Sequence, residues 1–419
     1  MWDQNSFLNR FLRGILYVLL AFCVYLIIFG IWSVYVTSPE HDVEKSIAYV
    51  ENETTESVVE ETISDEPGRS MYLQLNDVEQ QIYRFVRDSV ENSRTSLKME
   101  FPGYTIEEVE AHAERAFSAV YCDYPEYMWW SGERTSRCVN DVFSKKTVNA
   151  QYNLIYHDYW ENVTEKDKYS AELSIKAKMI ASQAKKLETT YEQVKYVHDY
   201  LVKKVTRISS KEANEATMIA FQSHSAYGAL INHLATSEGY SKAFQLIMSM
   251  MDVECTYVEG KLGVYDHAWN CVRLDDEYYW VDVTKDDYDW EDYPNAIAYD
   301  YFCFTSDELL KSYYELPEIF DFPECTATEY NYFYKEGFYL DKFDYNAVCQ
   351  ILEREKGKEL ISFKFSEEEE AVRFASVLIH DEGRIHEIPY YKDQHCGFTA
   401  NGYLPIFSIT VYQETEDNQ

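Results

Sequence analysis

His224-Ser225-Ala226-Tyr227-Gly228-Ala229-Leu230, followed by Ser237-Glu238-Gly239-Tyr240-Ser241-Lys242-Ala243-Phe244, is the stretch around which the chain is organised. Two segments further along belong with it: Asp266-His267-Ala268-Trp269-Asn270 and Val281-Asp282-Val283-Thr284. Serine opens helices well because its hydroxyl accepts an orphan amide hydrogen of the first turn, so a helix is expected to begin within two residues of Ser237. Asp275-Asp276 reads as a two-residue hairpin turn. Leu274 then pairs with Glu277, His267 faces Thr284 and Trp269 faces Asp282, which places the His267 and Asp282 side chains on one face as diagonal neighbours. A three-residue loop would put them on opposite faces.

Taken together, the four segments resemble the core of the transglutaminase-like superfamily, whose fold is papain-like. In that family the nucleophile is a cysteine in a Cys-Glu-Gly-Tyr sequence opening a helix. The base is the histidine of His-Ala-Trp, and the orienting acid is the aspartate of Val-Asp-Val-Thr. The resemblance therefore implies Ser237, His267 and Asp282 as the catalytic positions, with serine where the family has cysteine. It is close over about residues 190–300 and looser in the flanks. Two smaller departures are Asp276, where the family usually has a turn glycine, and Lys285-Asp286-Asp287, where it often has Trp-Asp-Asp.

The exchange at position 237 changes the chemistry. A favourable helix dipole is worth up to about 2 kcal/mol, or about 1.5 pKa units, enough to bring a thiol from about 8.5 towards neutrality. It cannot do this for an alcohol, so Ser237 would need His267 to remove its proton within the transition state, as in a Ser-His-Asp triad. Two functions stay open. One is a catalytically inactive pseudoenzyme whose groove holds peptide or cell-envelope material, with the 38 tyrosines offering amphipathic contact surface. The other is an active acyl-transfer hydrolase or peptidase acting on protein or peptide amides. Serine as no more than a good helix opener is the blander reading of the same residue. Cys271 shares the strand face of His267 but sits about 13 Å along it, too far to stand in as nucleophile.

Outside this core the chain divides by composition. Leu12 to Val36 is almost wholly apolar and exceeds the roughly 30 Å hydrocarbon thickness as a helix, ending in the interfacial Trp32-Ser33-Val34-Tyr35. A cleaved signal peptide would have an apolar run of only about 7 to 15 residues. Arg10 and Arg13 precede the span and Glu40, Asp42 and Glu44 follow it, so residues 1–11 are expected in the cytoplasm and the bulk of the chain outside it. Residues 37–70 are acidic and polar and read as an extended tether. The formal charge of 38 − 73 = −35 argues against nucleic acid as a partner.

The expected fold is α+β: a lead-in region over residues 71–160, a transglutaminase-like domain over 161–345, and a small α+β module over 346–419. Helices are expected over 78–90, from the capping box at Thr105 towards Val120, over 171–187 and 191–205, after Thr305, and over 367–378 opened by Ser366 and Glu369. Strands are expected through Tyr152-Tyr156, Leu360-Phe365, near Ile385 and over Phe407-Tyr412. His198 falls on the apolar face of its helix and reads as a helix-surface or core histidine rather than a ligand. Of nine cysteines, eight lie outside the span, and Cys122 with Cys138 and Cys303 with Cys325 are first candidates for disulfides. No CxxC or His-x-x-His spacing occurs, so neither a metal nor a cofactor is expected.

Overall fold

The computed structural model describes residues 48–49, 70–142, 146–157, 163–209, 218–288, 293, 296–380 and 383–412. The membrane span expected over 12–36 and most of the tether lie outside them. Among the described residues, no helix is long and apolar enough to cross a membrane.

The lead-in is a four-stranded antiparallel sheet covered by two helices. Helix α1 (Asp77–Glu91) starts at a capping box between Asn76 and Glu79 and buries Ile82, Tyr83, Val86 and Val90; α2 (Ile106–Asp123) starts at the Thr105–Glu108 box. Strands β1 (Ala48–Tyr49), β2 (Ser96–Pro102), β3 (Trp130–Asn140) and β4 (Thr147–Tyr156) pair in the order β1-β2-β4-β3. The tether reading leaves no place for β1. Ala48 and Tyr49 nevertheless pair with Glu100 and Met99, covering the exposed edge of β2.

The central domain is built on helices α3 (Val163–Ala184), α4 (Thr190–Lys204) and α5 (Ser237–Met250) and an antiparallel sheet. That sheet comprises β5 (Cys255–Leu262), β6 (Tyr265–Leu274), β7 (Glu277–Val281), β8 (Phe302–Phe304) and β9 (Tyr314–Glu315), in the order β8-β7-β6-β5-β9. Helix α5 lies between the sheet on one side and α3 and α4 on the other, so every residue from Gly239 to Met248 is buried. Such enclosure needs small residues at the points of closest approach. A Cβ on Gly239 would stand 2.3 Å from the Ser223 carbonyl oxygen, and one on Gly228 would stand 2.3 Å from that of Gln222. The two glycines of the quoted stretch thus let α5 and the preceding 222–228 turn pack backbone to backbone.

The last module pairs β10 (Tyr339–Leu340), β11 (Leu360–Phe365), β12 (His395–Ala400) and β13 (Ile406–Tyr412) in the order β10-β11-β13-β12. Its helices are α6 (Tyr345–Arg354) and α7 (Glu368–Ala375). Two expectations are corrected here. Ser366 does not cap α7: its hydroxyl donates to the Asp341 carbonyl at 2.6 Å, and Glu367 takes the N-cap position without a side-chain cap. The segment around Ile385 is a 3₁₀ turn, Arg384–Glu387, rather than a strand. Its buried residues Ile385 and Ile388 are three apart, the spacing of a 3₁₀ helix and not of strand alternation.

All eight cysteines outside residue 23 carry free thiols. Cys122 follows Tyr121, whose ring meets Trp130 at 6.0 Å, whereas Cys138 lies farther along β3, opposite Ala150 where Trp130 is opposite Tyr156, roughly 20 Å from Trp130 at about 3.3 Å per residue. Cys325 has Cys271 as its close neighbour, sulfur to sulfur 3.9 Å.

Candidate active site

The β6–β7 hairpin sets the first half of the site. Leu274 pairs with Glu277 and Asn270 with Val281, the two-residue register, so the side chains of His267 and Asp282 project to one face. The left-handed residue of the turn is Asp275, with φ +54°, and not Asp276. His267 Nε2 donates to Asp282 Oδ2 at 2.6 Å. A carboxylate only accepts, so Nε2 carries a hydrogen, and in the neutral ring Nδ1 is left as the acceptor on the opposite side.

Asp282 is fully buried and each of its oxygens is engaged. Oδ1 accepts the Lys285 amide at 3.0 Å, capping the short turn Val283–Asp286, while Oδ2 also accepts the Tyr314 hydroxyl at 2.7 Å. Burial by itself would raise this carboxyl, but the His267 charge and the hydrogen bonds from His267, Tyr314 and the Lys285 amide outweigh it and hold it below the ordinary aspartate value. Tyr314 is a site residue that reading the sequence missed. It reaches Asp282 because β9 pairs with β5, and β9 comes close because Gly260, opposite His267, leaves no room for a Cβ: that atom would lie 2.3 Å from the Glu315 carbonyl and 2.7 Å from the Trp269 ring.

Ser237 supplies the second half. It is half-buried and occupies the first helical position of α5; the N-cap is Thr236, one residue earlier. Ser237 is therefore not the helix cap. Its hydroxyl oxygen accepts the amide of Ala268, the residue after His267, at 3.4 Å. Among the described residues it makes no hydrogen bond with His267. Thr236 turns its own hydroxyl towards the Ser223 carbonyl and His224 and makes no cap bond, so the first-turn amides of α5 stay available to a developing negative charge beside Ser237.

A charged cluster backs this helix start. Glu238 accepts from Lys242 Nζ at 2.7 Å, sits 3.0 Å from His224 Nδ1, and accepts the Tyr121 hydroxyl from α2. Lys242 Nζ stands 3.9 Å over the Tyr121 ring. Burial would raise the Glu238 carboxyl, yet the Lys242 charge and the His224 hydrogen bond prevail and keep it well below the carboxylate range. The cluster ties the lead-in to the residue next to the candidate nucleophile.

His198 is a core histidine. It is fully buried, with Nε2 3.1 Å from Asp286 and Nδ1 3.1 Å from Asp199. Lys285, which stands where the family often has tryptophan, is half-buried, holds its ammonium 5.3 Å from the Tyr301 ring and contributes its backbone amide to Asp282. Among the described residues no group of three or more His, Cys, Asp or Glu is arranged to hold a metal ion.

No protein-family model matches the chain, and no curated protein matches it. Solved structures similar to part of it include these two. One is a transglutaminase, 16% identical, matching 36% of this chain and 44% of its own length with a TM-score of 0.26. The other is a candidate cysteine protease from Cytophaga hutchinsonii, 11% identical, matching 36% of this chain and 62% of its own length with a TM-score of 0.22. The chain spans less than two thirds of either.

Proposed function

We propose that this chain is a membrane-tethered, extracytoplasmic protein with a transglutaminase-like core, in which serine stands at the nucleophile position and the groove holds peptide or cell-envelope material without turning it over. One observation supports the reading: the Ser237 hydroxyl accepts the Ala268 amide and, among the described residues, makes no hydrogen bond with His267, the base it would need in direct contact. A thiol there would ionise with help from the helix start; an alcohol needs the base in direct contact. The tether rests on the apolar run Leu12 to Val36 and on the arginines before it.

A second reading, a Ser-His-Asp hydrolase, is favoured by the pair His267–Asp282, which keeps its short hydrogen bond and an Nδ1 with no partner among the described residues. Treatment with a serine-directed fluorophosphonate separates the two. The binding reading expects no more labelling of the wild-type protein than of Ser237→Ala; labelling lost with that substitution would establish the hydrolase reading instead. Proteolysis of intact cells from outside tests the topology, and protection of residues 37–419 until lysis would reverse it.

A further inference from the structure

The face of β6 that carries His267 also carries Cys271, and there a second thiol meets it. Cys271 lies opposite Trp280 of β7, whose Nε1 donates to the Ser306 hydroxyl at 3.0 Å. The same hydroxyl accepts the Cys325 amide at 2.9 Å, and the Ser306 amide donates to the Cys325 carbonyl at 2.8 Å. Cys325 is thereby held against the strand, its sulfur 3.9 Å from that of Cys271, with the two residues 1% and 2% exposed. Cys255 points elsewhere. It sits opposite Val272, so strand alternation turns it to the face on which Asn270 Nδ2 reaches the Ser241 carbonyl of α5.

A bond between these sulfurs would fasten a stretch that has little else to order it. Cys325 belongs to residues 316–331, which run on from β9 without helix or strand. Asp321 exchanges two hydrogen bonds with Gln74 of the lead-in, at 2.9 and 2.8 Å, and Arg115 donates to the Ile319 carbonyl. A cross-link at Cys325 would add a covalent tie to β6, just downstream of Tyr314, whose hydroxyl meets Asp282 at 2.7 Å. Disulfide sulfurs stand about 2.0 Å apart, so from 3.9 Å each has about 0.9 Å to travel.

We propose that Cys271 and Cys325 are a disulfide site, closed while the chain folds outside the cytoplasm, and that the bond braces the Tyr314–Asp282–His267 side of the candidate active site. One thiolate attacks a sulfur of a disulfide oxidant, giving a mixed disulfide and releasing one thiol; the second thiolate then displaces the other and forms the S–S bond. The two cysteines give up two electrons and two protons, which leave as the two thiols of the reduced oxidant. Burial sets the timing. Exchange needs access to sulfur, so the bond forms before the core closes and is shielded from reductant afterwards. The compartment rests on the proposed topology; the pairing does not.

Refolding the full chain in detergent with oxidised glutathione, followed by alkylation and peptide mapping, tests the pairing. The expected product joins Cys271 to Cys325 and unfolds about 5 to 15 °C higher than the same protein in excess dithiothreitol. That difference is read within each protein, so a variant's own loss of stability cancels, and it should vanish in Cys271→Ala and in Cys325→Ala. Two free thiols at these positions, a bond from Cys325 to Cys303, or a difference that persists in both variants overturns the proposal. In intact cells, trapping with N-ethylmaleimide before lysis should find the bond already formed. Free thiols in cells beside a bond formed in vitro would overturn the compartment, and the extracytoplasmic reading with it, while leaving the pairing in place.

Discussion

Replacing Ser237 by cysteine asks whether the surroundings of that residue still favour a thiolate. The side chain at position 237 is at the first helical residue of α5, beside amides that no cap occupies, and next to the residue that follows His267. A helix start of this kind is worth up to about 2 kcal/mol to an anion, or 2/1.36, about 1.5 pKa units. An imidazolium at His267, with its charge supported by Asp282 at 2.6 Å, adds to this. Glu238 subtracts little, because its charge is met by Lys242 at 2.7 Å and by His224. The Ser237→Cys thiol is therefore expected to titrate near 7, against about 8.5 for an unperturbed thiol. Iodoacetamide alkylation rates measured against pH locate the midpoint, and the same profile in Ser237→Cys with His267→Ala should move back up. Two profiles that coincide near 8.5 would refute the reasoning: the helix start and the histidine would then no longer act on that atom. A depressed midpoint lost with His267, accompanied by peptide or amide turnover in the cysteine variant alone, would mark a site disarmed at one atom.

The remaining predictions concern the frame that holds the site. Gly239→Ala forces a Cβ to within 2.3 Å of the Ser223 carbonyl and is expected to lower stability by about 2 to 3 kcal/mol in a denaturant titration; a loss below about 0.5 kcal/mol would mean that the 222–228 turn yields freely. Burial lifts Asp286 to about 7, above its unfolded value of about 3.9, so its contribution to stability is complete at low pH and is lost as the pH rises to about 7. Denaturation midpoints at pH 5 and pH 7.5 should differ in that sense, the difference should shrink in Asp286→Asn, and an equal slope in the variant would rule Asp286 out as its source. Refolding with oxidised glutathione as the electron acceptor is expected to join Cys271 to Cys325, whose sulfurs lie 3.9 Å apart; peptide mapping that finds Cys303 joined to Cys325 instead would contradict the structure.

What the sequence disclosed follows the reach of its signals. Capping boxes at Thr105 and Thr305 act within four residues and were readable as helix starts. The His267–Asp282 register was readable too, because strand alternation and a two-residue turn fix it between positions fifteen apart in the chain. Tyr314 was not. It meets Asp282 only through the pairing of β9 with β5, two strands joined by no short turn, and nothing local in Tyr313-Tyr314-Glu315 distinguishes it from the other tyrosines. Strand β3 escaped because it alternates weakly, with exposed residues through most of its length, so its pattern carries little of the period-2 signal; β2 does alternate, burying Leu97, Met99 and Phe101, and its signal was passed over. The pairing of Cys271 with Cys325 likewise depends on how the segment after β9 folds back onto the sheet.

The retained groups of the site also have a second occupation. Asp282 caps the Val283–Asp286 turn as well as orienting His267. Tyr314 pins the edge strand β9, and Glu238 joins α2 to the start of α5 through Tyr121. Each would be kept for folding whether or not a reaction occurs, since removing one partner of a buried hydrogen-bonded carboxylate leaves the rest unsatisfied. The intact His267–Asp282 geometry therefore weighs little in favour of catalysis. Ser237 has no such structural duty: Thr236 is the N-cap, and the one side-chain hydrogen bond Ser237 makes among the described residues, from Ala268 at 3.4 Å, is long. Position 237 is the only member of the three free to report on chemistry alone, and it carries the residue that the helix start cannot activate.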